Sequence, residues 1–76
     1  MSLYRESTSL TSLSPLDSAR ITGIDHGIAG QLFGYGIYPG AVVELQQKFP
    51  GYVIKTDETE IALESGIASK IRVVRI

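Results

Sequence analysis

The run Tyr35-Gly36-Ile37-Tyr38-Pro39-Gly40 constrains this chain more than any other stretch. Gly36 reaches a positive φ without steric cost, which suits the residue just past a helix end. Pro39 holds φ near about −65° and has no N–H to donate. A Pro-Gly pair fits the two central positions of a type II turn, with the glycine supplying the positive φ. These residues therefore predict a helix stop followed at once by a turn that launches a strand. Ile37, between the two, is expected to point inward and pin the corner to the core.

A chain of 76 residues has little else to build on. One domain is expected, and a domain of this size buries only roughly 60% of the surface its unfolded chain exposes. There is no cysteine, so neither a disulfide nor a thiolate metal site can staple the fold. Its absence fits a reducing compartment. The core must come from Ile, Val, Leu, Phe and Tyr alone, or from a partner. A net charge of −1 and a pI near 5.7 argue against general nucleic-acid binding, which needs a basic face. With 8 glycines among many short apolar runs, tight turns and a mostly β barrel are expected. No signal peptide is read at the start, where Arg5 and Glu6 precede a Ser/Thr-rich run. Gly27 to Val43 carries no charged side chain, but it is short for a helix crossing about 30 Å and is broken by glycines and Pro39, so no membrane insertion is expected.

Taken in order, residues 1–12 show no hydrophobic period and read as a flexible tail, with the domain proper at residues 13–76. Leu13 and Leu16 flank Pro15 and are placed to plug one end of a small barrel. Ala19-Arg20-Ile21-Thr22 alternates as a half-buried strand does, and a bulge at Gly23 would bring Ile24 back inside. Ile28, Ala29, Leu32, Phe33 and Tyr35 recur at helical spacing, which predicts a short helix over about residues 28–35. Gly30 and Gly34 weaken that helix, and their common face suggests close approach to a strand or a partner. Residues 42–48 form the next strand, with Val43, Leu45 and Gln47 on one face. Phe49-Pro50-Gly51 is a second Pro-Gly turn. Strands over residues 52–56, 60–63 and 71–74 follow, with a short helical turn over Ser65 to Ala68. The reading is five short strands in a small antiparallel barrel, with one helix inserted between the first and second strands; closure would remove the exposed edges.

The catalytic inventory is thin. The single histidine, His26, stands beside Asp25 in what reads as a turn, and zinc needs three or four ligands. Asp57, Glu58 and Glu60 form a solvated hairpin tip without the ligand alternation of a calcium loop. Gly34, Gly36 and Gly40 nearly match a dinucleotide fingerprint. The third glycine is one residue late, and the strand–helix context is reversed. No cofactor, metal site or catalytic residue is expected. What remains is surface: Tyr35, Tyr38, Phe49 and Tyr52 flank the Pro-Gly turns, and rigid aromatics contribute large contact area at low entropic cost. Phe49 is assigned to the core and Tyr38 to the surface.

The order of these pieces resembles the FeoA family, small SH3-like-barrel proteins of bacterial ferrous iron uptake. The resemblance runs from about Leu13 to Val73. It rests on Leu13-Ser14-Pro15-Leu16, Leu32, Gly36-Ile37-Tyr38-Pro39-Gly40, Val43-Glu44-Leu45, Pro50-Gly51, Ile61-Ala62-Leu63 and Ala68-Ser69-Lys70-Ile71-Arg72-Val73. The sequence departs from the family pattern in its uncharged Gly30-Gln31-Leu32-Phe33-Gly34-Tyr35, in Glu64 where arginine is common, and in the Ser/Thr-rich start. The same barrel occurs as the C-terminal domain of DtxR-type metal-dependent repressors, but no DNA-binding part is read in this sequence. The resemblance implies a cytoplasmic, non-enzymatic accessory protein that docks on the G-protein domain of the FeoB transporter. Tyr35, Tyr38, Pro39 and Tyr52 are the expected contact residues. Two other readings stay open: an SH3-like protein- or peptide-binding module unrelated to iron, including weak self-association, and an activator of the GTPase. An activator often inserts an arginine, yet Arg20, Arg72 and Arg75 fall in or near predicted strands.

Overall fold

The computed structural model describes residues 7–57 and 59–76. Its elements are β1 (Thr8–Ser9), a 3₁₀ turn (Leu10–Ser12), β2 (Ser18–Ile24), α1 (His26–Phe33), β3 (Val42–Gln47), β4 (Tyr52–Lys55), β5 (Glu60–Leu63), α2 (Ser65–Ala68) and β6 (Ile71–Arg75). Among the described residues the strands form one six-stranded antiparallel sheet in the order β1-β6-β2-β3-β4-β5. The fold is mostly β with short helices, of the SH3-like class. One strand more than expected is present, and β5 and β1 do not pair, so the sheet does not close into the expected barrel. The alternating positions Ala19, Ile21, Val43, Leu45, Ile54, Leu63, Ile71 and Val73 share one buried face, joined in a single cluster by Leu32, Ile37 and Ala68. Period-two alternation puts such a set on one side of a pleated sheet, and burying it is the main favourable term in folding.

The corner forms as its stereochemistry requires. Gly36 has φ +82° and sits past the end of α1. Its N–H reaches the Phe33 carbonyl at 3.0 Å, and the Ile37 N–H reaches the Leu32 carbonyl at 3.0 Å. That is a Schellman cap, and Leu32 and Ile37 are both buried in the core cluster. Ala41 N–H then donates to the Tyr38 carbonyl at 2.9 Å, and Gly40 has φ +98°, which makes Tyr38-Pro39-Gly40-Ala41 a type II turn. Gly40 N–H donates to the Ile21 carbonyl at 2.7 Å, so the turn is tied to β2. The helix itself lies two residues earlier than the spacing predicts, because Gly34-Tyr35-Gly36 is consumed by the cap.

Within the chain, no strand packs against Gly30 or Gly34. A Cβ on Gly30 would meet nothing within 4 Å, and one on Gly34 would meet only the Gln31 carbonyl of its own helix at 3.6 Å. Opposite signs are therefore expected for two alanine substitutions. Gly30→Ala stabilises by up to about 1 kcal/mol, the propensity difference in a helix interior. Gly40→Ala costs about 1–2 kcal/mol, because its open surroundings leave only the positive φ to object. Urea midpoints of the two variants check this, and equal signs would refute the account.

The start of the chain departs most from expectation. Residues 8–12, assigned to a flexible tail, belong to the fold. Thr8 pairs with Val73 and Ser9 with Arg72, and Leu10 is fully buried in the core. Met1 to Glu6 lie outside the described residues. Leu13 is buried as expected, but Leu16 is not: it is 71% exposed with φ +76°. Asp17 N–H donates to the Ser14 carbonyl at 3.0 Å, so Pro15 and Leu16 occupy the centre of a turn in which Leu16 holds a position normally given to glycine. Its own N–H donates to the Leu45 carbonyl at 2.6 Å, which anchors the turn to β3 and turns the side chain out.

Phe49, assigned to the core, is 85% exposed. The register between β3 and β4 shifts between Leu45 and Gln47, so Gln47 leaves the buried face and the alternation that would carry Phe49 inward is broken. The second Pro-Gly pair also differs from the first. Gly51 does not take a positive φ, and the Phe49–Pro50 peptide is cis. The bulge expected at Gly23 is present: the β2–β6 register shifts between Ile21 and Gly23, and Ile24 lies opposite Ile71, packed on the core.

Asp17 fastens the opening turn. Its carboxylate accepts from the Ser14 N–H at 2.8 Å and from Arg75 Nε at 3.1 Å, while Arg75 Nη2 donates to the Ser12 carbonyl at 3.0 Å. The Ser14 N–H, and after it Arg75, hold the carboxyl below its ordinary value of 3.8. A depressed carboxyl adds stability that is fully present above its unfolded-state value and is lost as pH falls through the folded-state value. Asp17→Asn is thus expected to be less stable than the wild type at neutral pH, with the gap closing below about pH 4. Urea midpoints at both pH values check it; a gap that does not change with pH would contradict it.

Candidate functional site

The end of α1, the corner and the β4–β5 hairpin enclose an open groove of about 500 Å³. Tyr35 and Tyr38 line it, with Gly34, Gly36, Ala41 and Val42 beneath and Thr56, Asp57 and Thr59 on the facing hairpin. The Schellman cap turns the chain by way of Gly36, which leaves Tyr35 59% exposed on one side of the buried Ile37 and Tyr38 43% exposed on the other. The Tyr38 ring is braced by Phe33, with centroids 5.6 Å apart and planes inclined at 49°. Such tilted pairs are favourable and hold a ring in place before anything binds. The opposite wall is polar. Thr56 N–H donates to the Thr59 carbonyl at 2.8 Å, which fixes the hairpin tip, and Asp57 supplies an exposed carboxylate.

Of the four residues expected to make contact, the fold brings Tyr35 and Tyr38 together in this groove, with exposed Pro39 next in the chain as a rigid shoulder. Tyr52 stands apart. It opens β4 opposite Leu63 and packs partly on the core, whereas the groove lies at the other end of that strand, about 13 Å along at ~3.3 Å per residue. Phe33 and Val42 are exposed apolar residues of the same surface that sequence reasoning did not select. Phe33 was hidden by its helical spacing, which reads as core. Val42 was visible as the outward residue of an alternating strand.

Chemically the surface offers aromatic rings, hydroxyls and one carboxylate. Among the described residues no three His, Asp or Glu side chains converge as a metal site would require. His26 opens α1 in the open, and Asp25 makes no side-chain cap bond there. The glycines that resemble a nucleotide fingerprint stand after a helix and before a strand, the reverse of the context phosphate binding needs. Among the described residues no helix is long and apolar enough to cross a membrane.

Among the described residues, a small, open, six-stranded antiparallel sheet with short helices and an aromatic corner defines a protein of the SH3-like class. Residues 8–75 match the family model described as FeoA domain, and the chain belongs to that family. Membership gives it a role in ferrous iron transport systems, within a family of small accessory domains. No curated protein matches the sequence. Among solved structures, an iron uptake regulatory protein (FeoA) aligns with 20% identity over 93% of this chain and 99% of its own, at a TM-score of 0.84. The FeoA protein from Chlorobium tepidum aligns at 0.82 with 18% identity, over 91% of this chain and 70% of its own. The IdeR of T. acidophilum aligns at 0.85 with 24% identity over the whole of this chain, which spans only 37% of that protein. At these identities the likeness is one of fold.

Proposed function

We propose that the chain is a non-enzymatic accessory protein of ferrous iron uptake that works in the cytoplasm by docking its aromatic corner on the G-protein domain of a FeoB-type transporter. The observation that carries this reading is the groove itself. Two tyrosines are held on a cap and a turn whose backbone is fixed by glycine stereochemistry, on a molecule whose described residues offer no converging reactive groups. Contact aromatics in pre-formed settings dominate binding because little entropy is lost on association. Docking biases the transporter only if its states bind the corner with different affinity.

The test uses the purified chain and the transporter's cytoplasmic domain. Tyr38→Ala leaves the turn backbone intact and is expected to weaken binding by about 30-fold, the effect of a contact residue contributing ~2 kcal/mol. Absence of any binding by the wild-type chain would sink the reading. So would full retention by a Tyr35→Ala/Tyr38→Ala double variant. GTP turnover measured in the same samples separates docking from activation. The GTPase-activator reading finds little support, since Arg20, Arg72 and Arg75 all lie within sheet strands.

A further inference from the structure

The sheet ends at β5, and among the described residues nothing pairs with that strand's outer edge. The ladder determines which backbone groups are left over. The Thr56–Thr59 bond closes the hairpin on a hydrogen-bonded pair. Antiparallel ladders alternate bonded and non-bonded pairs, so Ile54–Ile61 and Tyr52–Leu63 are bonded ones. Glu60 and Ala62 therefore direct their N–H and C=O groups outward, and both residues are exposed. Among the described residues the Thr59 hydroxyl donates a long bond, 3.4 Å, to the Glu60 carbonyl.

Beside this edge runs a second open groove of about 770 Å³, lined by Ile61, Leu63 and Ile67 and, from the end of α1, by Gln31, Leu32 and Tyr35. Natural sheets blunt such an edge with very short strands, charged side chains, proline or a bulge, and β5 has four residues, one charge, no proline and no bulge. Here the strand is Glu60-Ile61-Ala62-Leu63 and its register with β4 is unbroken. An unpaired edge next to an apolar trough is the geometry of strand addition, in which main-chain bonds hold an extended segment and alternate side chains fill the trough.

Charge selects the occupant. Between Asp57 and Ser69 the sequence carries Asp57, Glu58, Glu60 and Glu64 and no lysine or arginine. Two copies of this edge would bring like charges together, which disfavours self-pairing through β5. The opposite edge of the sheet, β1, offers only two residues. We propose that β5 accepts an extended segment of a partner protein as a further strand, with apolar residues alternating with lysine or arginine. Tyr35 lines both grooves, whereas Tyr38 lines only the first, so a Tyr38 variant distinguishes strand addition here from docking at the aromatic corner.

The probe is a synthetic heptapeptide alternating valine and lysine, set against its valine–glutamate counterpart, with amide exchange of the full chain read by NMR. The lysine peptide is expected to slow exchange of the Glu60 and Ala62 amides by at least about tenfold, and the glutamate peptide to leave them unchanged. Tyr38→Ala keeps the protection. Ala62→Pro removes an N–H that the β4 ladder does not use, and it is expected to abolish binding of the labelled lysine peptide. Should that variant not fold, Glu60→Lys/Glu64→Lys takes its place and is expected to weaken binding about tenfold. Failure of the lysine peptide to bind, protection at residues other than the β5 edge, or equal binding of both peptides would overturn the proposal.

Discussion

Leu10→Ala is expected to lower the stability of the domain by about 2–5 kcal/mol, the range for truncating a fully buried leucine. Leu10 has no exposed surface and lies in the same cluster as Ile71 and Val73, the inward residues of β6. The 3₁₀ turn that carries it is capped by Ser9, whose hydroxyl accepts from the Thr11 N–H at 3.2 Å, and closed by Leu13 N–H to the Leu10 carbonyl at 3.1 Å. A domain this size has roughly 4–11 kcal/mol in total, so the substitution removes a large share. Chemical denaturation of Leu10→Ala beside Thr11→Ala checks it, since Thr11 carries no comparable buried side chain. A loss under about 0.5 kcal/mol at Leu10 would mean that the chain ahead of Leu13 is not part of the folded unit.

Ile37→Ala is expected to cost about the same, again about 2–5 kcal/mol, with one further consequence. Ile37 is fully buried between exposed Tyr35 and Tyr38, and its N–H closes the Schellman cap on Leu32. Its side chain fastens the corner to the core, and the corner presents both tyrosines. If the corner docks as proposed, loosening it reduces binding to the transporter domain even where the variant remains folded. A stability loss with unchanged affinity under folded conditions would separate the corner's rigidity from its recognition role. Ile37→Val, which keeps most of the volume, is expected to cost about 0.5–1.5 kcal/mol and to bind nearly as the wild type does.

What could be read in advance was what neighbouring residues decide between themselves. The helix stop at Gly36, the type II turn at Pro39-Gly40 and the bulge at Gly23 all follow from backbone stereochemistry and short-range alternation. Phe49 was misplaced for an instructive reason. Strict alternation from Val43 puts it on the inner face, but the register shift in β3 changes the parity two residues before it. The candidate site was legible to the same extent. Tyr35 and Tyr38 are three residues apart around a rigid corner, so their proximity is local. Tyr52 shares their chemistry, yet the groove is assembled from the far end of its hairpin, a matter of which end of β4 meets the corner.

The corner, the alternating strands and the apolar residues that must be covered are all local in origin, because φ limits and period-two patterning act within a few residues. Long-range packing instead governs the addition of Thr8–Ser9 to β6, the entry of Leu10 into the core, the open edge at β5 and the exposure of Phe49. Those outcomes depend on pairings between residues as many as 65 positions apart, such as Thr8 with Val73. A Ser/Thr-rich run has no pattern of its own to announce such a pairing, and its stability is supplied by the strand it meets.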